Sequence, residues 1–123
     1  MNAKARSGTG SSQVKIRLML RDTIAMGPGK ASLLAAVDET GSISAAARHM
    51  GMSYRRAWML IADMNACFVQ PVVETAKGGE RGGGARITDF GKDVLKRYLA
   101  IEAKAARSIQ SDVARLTHLM KTD

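Results

Sequence analysis

The sequence predicts a mainly α-helical domain with one small β hairpin, followed by a long C-terminal helix. Three observations carry that fold class. Apolar residues recur at helical spacing through most of the chain, and only two prolines occur in 123 residues. Short apolar runs flank the glycine-rich stretch KGGERGGGAR at 77–86 and read as paired strands. From Thr88 onward, apolar and small residues follow a near-heptad pattern. With 46% apolar and 24% charged residues, the chain has material for one domain with a real core and too little for two.

The elements follow in order. Residues 1–13 are rich in Gly, Ser and Thr, carry Lys4 and Arg6, and are expected to form a disordered basic arm. In VKIRLML at 14–20, apolar residues alternate with Lys15 and Arg17, the pattern of a half-buried strand. A turn through Gly27, Pro28 and Gly29 leads to a helix opened by Lys30 or Ser32. Its apolar face is Leu33, Leu34 and Val37, and Gly41 stops it. A short alanine-rich helix ends at Gly51, with Ser44 as its expected cap and Ile43 just outside as a staple. Ser53 then caps YRRAWMLIADMNACF, and Pro71 closes that region. Val72 and Val73 on one side, and Ala85, Arg86 and Ile87 on the other, form the hairpin strands.

The final helix carries Val94, Tyr98, Ile101, Ala105, Ile109, Val113, Leu116 and Met120 at spacings of three and four. So long an amphipathic helix outruns a small core, and its distal part needs a partner, most economically a second copy of the chain. The seam from Val94 to Leu116 is therefore the expected dimerisation surface. The alternative is a helix folded back on its own domain with a break near Ser108. Residues 14–91 and 92–123 accordingly read as a compact domain and its dimerisation helix.

A helix, a tight turn, a second helix and a hairpin make the layout of a winged helix-turn-helix. Ala47, four residues before Gly51, is small enough for two helices to cross closely, and glycine tolerates the positive φ such a turn needs. At helical periodicity Ala57, Ile61 and Met64 form a stripe for burial, with Arg55 and Met59 opposite and Arg56 alongside. Tyr54 falls toward the buried stripe and Trp58 at its flank, so both read as core rather than as base contacts, although Tyr54 sits in the first turn, where its hydroxyl could reach a phosphate. No acid occurs between Glu39 and Asp63, whereas Arg48, Arg55 and Arg56 do. A net charge of +8, from 19 basic and 11 acidic residues, suits a polyanionic partner.

These patterns single out a set of residues for double-stranded DNA. Ser42, Ser44, Ser53 and Tyr54 would position phosphates, and Arg55 and Arg56 would reach base edges from the face that also carries Met59. Lys77, Arg81 and Arg86 would hold the flanking backbone from the hairpin tip. The glycine stretch lacks the GK[ST] ending of a Walker loop and opens no helix, so it fits neither that loop nor a dinucleotide fingerprint. It reads as a wing, or as a flexible tip with no partner. A non-specific nucleoid protein would share the charge, and a basic glycine loop could also bind an oxyanion.

Other function classes find little support. Cys67 is the only cysteine, which fits a reducing compartment, and with His49 and His118 it makes no metal-ligand spacing. No catalytic set converges, so the chain reads as a non-enzyme without a cofactor. No apolar run reaches a bilayer span and the N-terminus lacks an h-region, so the expectation is a soluble cytoplasmic protein.

Several of these stretches together resemble one known family. GSIS at 41–44, the Ala47/Gly51 pair, SYRRAW at 53–58, Met64–Asn65, PVVE at 71–74 and GGERGGGA followed by Thr88 and Gly91 resemble the N-terminal DNA-binding domain of ModE-type, molybdate-responsive regulators. More loosely they resemble the winged helix of LysR-type regulators. The likeness spans roughly residues 14–100. It implies a bacterial, nucleoid-associated winged helix-turn-helix homodimer joined through its long helix, with a recognition helix from Ser53 and a wing over 77–86, acting as a repressor or an activator. Family members carry molybdate-binding modules after the long helix. Only about 35 residues follow Thr88 here and read as that helix alone, so no cofactor is expected beyond the molybdate that the resemblance itself implies, and the alternatives are a constitutive form, one that binds another effector, or one that pairs with a separate sensor.

Overall fold

The computed structural model describes residues 14–76 and 84–121. The predicted arm at 1–13 and the tip of the glycine-rich stretch lie outside the described residues. The first described element differs from its expectation. Instead of one half-buried strand over 14–20, a short hairpin forms from β1, Leu18–Leu20, and β2, Thr23–Met26, paired antiparallel. The turn passes through Arg21 at φ 54°, a left-handed conformation unusual for a non-glycine residue, so no glycine advertises it in the sequence. All three β1 residues are exposed, and burial falls instead on Met26 in β2. Alternation in the sequence had marked a strand but not the face that would be covered.

Three helices follow. The first, α1, runs Pro28–Thr40, earlier than the expected start at Lys30 or Ser32, because Pro28 takes the first helical position with Gly27 as N-cap. Gly41 ends it at φ 71°, as expected. The second, α2, runs Ile43–Met50 and is capped by Ser42, whose hydroxyl accepts from the Ala45 N–H at 3.0 Å. Ser44 is therefore not the cap, and Ile43 is not an external staple but the first helical residue, 6% exposed. The third, α3, runs Tyr54–Cys67, with the Ser53 hydroxyl accepting from Arg56 N–H at 3.0 Å. Between α2 and α3, Gly51 adopts φ 69°, and the N–H groups of Gly51 and Met52 return to carbonyls at the end of α2.

A second hairpin pairs β3, Val73–Ala76, with β4, Gly84–Ile87, Val73 opposite Ile87 and Glu74 opposite Arg86. It brackets the glycine stretch where the sequence placed it. The C-terminal region forms α4, Asp89–Ser108, and α5, Gln110–Thr117, separated at Ile109 with φ −110° and ψ 9°. The interruption sits in Ser108-Ile109-Gln110-Ser111-Asp112, where serine, aspartate and a β-branched residue all weaken a continuous helix. One unbroken helix was expected, with a break near Ser108 as the alternative, and the break is what forms.

The core joins every layer. Leu33, Leu34 and Val37 of α1 meet Ala46 and Ala47 of α2, Ala57, Ile61 and Met64 of α3, Val72 and Val73, Ala85 and Ile87 of the second hairpin, and Tyr98 of α4. The α3 stripe read from the sequence is thus the buried one. Alanines at the α2–α3 crossing let the helices approach closely. Gly91 has a similar role, since a Cβ there would lie 2.2 Å from the Val72 carbonyl oxygen. Lys30 is 7% exposed; its ammonium donates to the Ile24 carbonyl and lies 3.8 Å from Asp63, so its charge is matched where β2, α1 and α3 meet.

Tyr98 fastens the start of the described chain to α4. Its hydroxyl lies 2.6 Å from the Ile16 carbonyl and 3.1 Å from Glu102, and its single proton can serve one acceptor at a time. Burial, the hydrogen bond to Glu102 and the charge of that carboxylate push the phenol up to about 12 from 10.0, partly offset by Arg17. Because the folded state holds this proton more tightly, its stabilising effect is complete below pH 10 and fades as pH rises toward 12. Spectroscopic titration of the native protein should therefore show a phenolate forming near pH 12. Tyr98→Phe should remove that transition.

Candidate nucleic-acid interface

The site is assembled from two helix starts and one hairpin root. Ser42 and Ser53 each stand in extended backbone before a helix and satisfy one amide of its first turn. The remaining first-turn amides of α2 and α3 carry the positive end of each helix dipole. On the hairpin side, the Ala85 N–H donates to the Gly41 carbonyl at 3.1 Å, tying β4 to the turn that introduces α2. A Cβ at Gly84 would come within 3.2 Å of the same carbonyl oxygen, so this close approach favours glycine there.

These ties create a concave notch lined by Ser42, Ile43, Ser44, Tyr54, Thr75, Ala76, Gly84 and Ala85, of about 250 Å³. It brings Ser42, Ser44 and Tyr54, three of the sequence-predicted phosphate contacts, to one place. Thr75, which the sequence reading missed, joins them. Its signal was available in the two-residue period of β3, which sets Thr75 on the same strand face as Val73.

Along α3, Arg55, Arg56 and Met59 are exposed, as read from the sequence, and Ser53 is exposed beside its cap bond. Tyr54 and Trp58 correct the leaning toward the core: they are 53% and 50% exposed. Tyr54 lies in the first turn of α3, where a phosphate contact was also expected, and Trp58 is on the rim of the stripe. Arg48 is also exposed, in the last turn of α2, where a cation complements the helix dipole irrespective of any ligand.

On the hairpin, Arg86 is exposed and lies 3.6 Å from Glu74 across the strand pair, a solvent-exposed contact of small energy that leaves the guanidinium available. Lys77 and Arg81 lie outside the described residues. Of the proposed seam, Val94 packs against the domain's own core and Tyr98 is buried at 2%, so both side chains are used within the chain. Ala105, Ile109 and Val113 are half-buried, while Ile101 and Leu116 are 44% and 57% exposed. No residue of α5 is buried. Among the described residues no group of His, Cys, Asp and Glu could hold a metal, and no helix is long and apolar enough to cross a membrane.

Comparison with known proteins agrees with this geometry. The sequence model of the bacterial regulatory helix-turn-helix proteins of the LysR family matches residues 30–92, from the start of α1 into α4. The chain is 48% identical over 86 residues to the molybdenum-pterin-binding protein MopB of Rhodobacter capsulatus, an alignment covering 70% of this chain and 32% of MopB. It is 34% identical over 111 residues to the transcriptional regulator ModE of Yersinia pestis, covering 88% of this chain and 42% of that protein. The chain thus spans well under half the length of these relatives, and the match fits a ModE-type N-terminal winged helix-turn-helix. The fold is also that of a chain in the crystal structure of a CbnR_DBD–DNA complex, with TM-score 0.55 and 23% identity over 71% of this chain and 94% of the other.

The two serines of α2 separate by experiment. Ser42→Ala should lower the unfolding free energy by about 1 kcal/mol in urea titration, the cost of a lost N-cap. Ser44→Ala, with no cap to lose, should stay within about 0.5 kcal/mol of the parent.

Proposed function

We propose that the chain, which belongs to the bacterial regulatory helix-turn-helix family of the LysR type, is a sequence-specific DNA-binding regulator of transcription. One observation carries the reading: the starts of α2 and α3 and the root of the hairpin converge on a single notch, beside an α3 face that bears Arg55 and Arg56 and no acid before Asp63. In this reading α3 enters the major groove. The hydroxyls of Ser42, Ser44 and Tyr54 meet phosphates, Arg55 and Arg56 reach base edges, and the hairpin with Lys77, Arg81 and Arg86 holds the flanking backbone. The names of the relatives, transcriptional regulators among them, support the same class of activity.

The finer reading is a cytoplasmic homodimer that represses its promoters and needs no cofactor. Support for the dimer comes from α4, the break at Ile109 and α5, where Ile101, Ile109, Val113 and Leu116 continue the apolar spacing beyond the core, with Leu116 more than half exposed. Two copies joined along that line would present two α3 helices to successive turns of a duplex.

Fluorescence anisotropy with the DNA upstream of the chain's own gene, against a shuffled duplex across a salt series, tests the function. Preference for the native duplex that survives added salt is the expected result. If that preference is missing for duplexes recovered by genomic selection as well, the reading is wrong and a non-specific binder remains. Arg55→Ala should relax base preference at a cost of about 1–3 kcal/mol, whereas Lys77→Ala should weaken all duplexes alike and flatten the salt slope. Leu116→Lys should shift the sedimentation coefficient from dimer to monomer while leaving helical circular dichroism intact.

A further inference from the structure

Three large apolar side chains stand half exposed on one stretch of α3: Tyr54 at 53%, Trp58 at 50% and Met59 at 51%. With Arg55 they line an open depression of about 500 Å³ on the helix surface, more apolar than polar in its walls. A tryptophan and a methionine left in water forgo a burial that α3 gives Ala57, Ile61 and Met64 on its other side. Such a surface is completed when something apolar covers it. Arg55 and Arg56 on the same exposed part of the helix, and Arg48 on α2, direct a polyanion to this place rather than an apolar protein partner. In the major groove of a duplex, the only apolar group a base pair presents is the C5-methyl of thymine.

We infer that Trp58 and Met59 form the specificity surface of α3 and read thymine methyl groups in the major groove, an inference that rests on the DNA-binding reading above. The four residues divide by chemistry. Arg55 supplies two-pronged hydrogen bonding, for which guanine offers the matching acceptors, while Trp58 and Met59, one turn further along, offer contact area and no charge. Operators should therefore place thymine within a base step or two of the position that Arg55 reads. Tyr54, at the mouth of the notch formed with Ser42 and Thr75, belongs to the backbone side of this division.

The test removes the methyl and nothing else. A duplex is selected from a randomised pool by the full 123-residue chain, and each thymine is replaced in turn by deoxyuridine. At one or two positions the replacement should weaken parent binding about fourfold, the effect of uncovering one methyl-sized group. Met59→Ala and Trp58→Ala should each bind the parent duplex more weakly, with the thymine-to-uracil ratio falling toward one at a position of their own. Met59→Leu, which keeps the contact area and the fold, should retain the ratio. The inference is overturned if parent binding is indifferent to every replacement while the selected duplex is still preferred over a scrambled one; the DNA-binding reading then stands. It is also overturned if the ratio survives in both alanine variants, because the methyl is then read elsewhere. Loss of preference for the selected over the scrambled duplex would instead bring down the functional reading, and this inference with it.

Discussion

The side-chain amide of Asn65 is the interaction on which the geometry of this surface depends. From the last turn of α3 its oxygen accepts from the Val72 N–H at 2.8 Å and the Val73 N–H at 3.4 Å, and its nitrogen donates to the Val73 carbonyl at 3.2 Å. A single side chain thus pairs with the backbone of β3 much as a neighbouring strand would, and it does so half-buried, where unpaired amides would be costly. Thr88 closes the other side of the same segment: its hydroxyl donates to the Pro71 carbonyl at 2.7 Å and its N–H to the Val72 carbonyl at 2.9 Å. The same hydroxyl accepts from Gly91 and so caps α4. The helix α3, the second hairpin and α4 are therefore fixed to one short stretch of backbone, residues 71–73.

That stretch leaves little freedom. The Val72 carbonyl is approached so closely by α4 that Gly91 must lack a side chain. At the opposite end of the hairpin, the Gly41 carbonyl receives Ala85 and fixes the strand root against the α1–α2 turn. The described strands of the hairpin are thus tied at both ends, and α3 is tied at its C-terminal end to residues 72–73 through Asn65. Pre-organisation of this kind means that ordering entropy is spent on folding and not on binding, which suits the proposed match to base spacing.

The C-terminal region follows a different logic. Up to Tyr98, α4 is anchored by core contacts and by the hydrogen bond to Ile16, 82 residues earlier in the chain. Beyond it the apolar spacing continues while burial declines, and α5 buries nothing. In this chain the periodic pattern therefore serves two environments, the domain's own core for Val94 and Tyr98 and an open face for Ile101 and Leu116.

Local chemistry in the sequence determined a good deal. Gly41 and Gly51 mark helix ends because only a residue without Cβ enters the left-handed region freely, and Ser53 marks a helix start because its hydroxyl meets an unpaired amide. The α3 stripe of Ala57, Ile61 and Met64 and the strands about the glycine stretch follow from periodicity alone. What depends on neighbours distant in sequence was decided only in three dimensions. Ser42 and Ser44 carry the same hydroxyl, and the backbone entering α2 chose between them. Arg21 makes a turn that its residue type does not announce. Tyr54 and Trp58 fall toward or beside the stripe by angle, but whether such a position is covered depends on the size and reach of the element opposite, and both stay half exposed. A helical angle fixes direction; only tertiary packing decides what, if anything, stands in that direction.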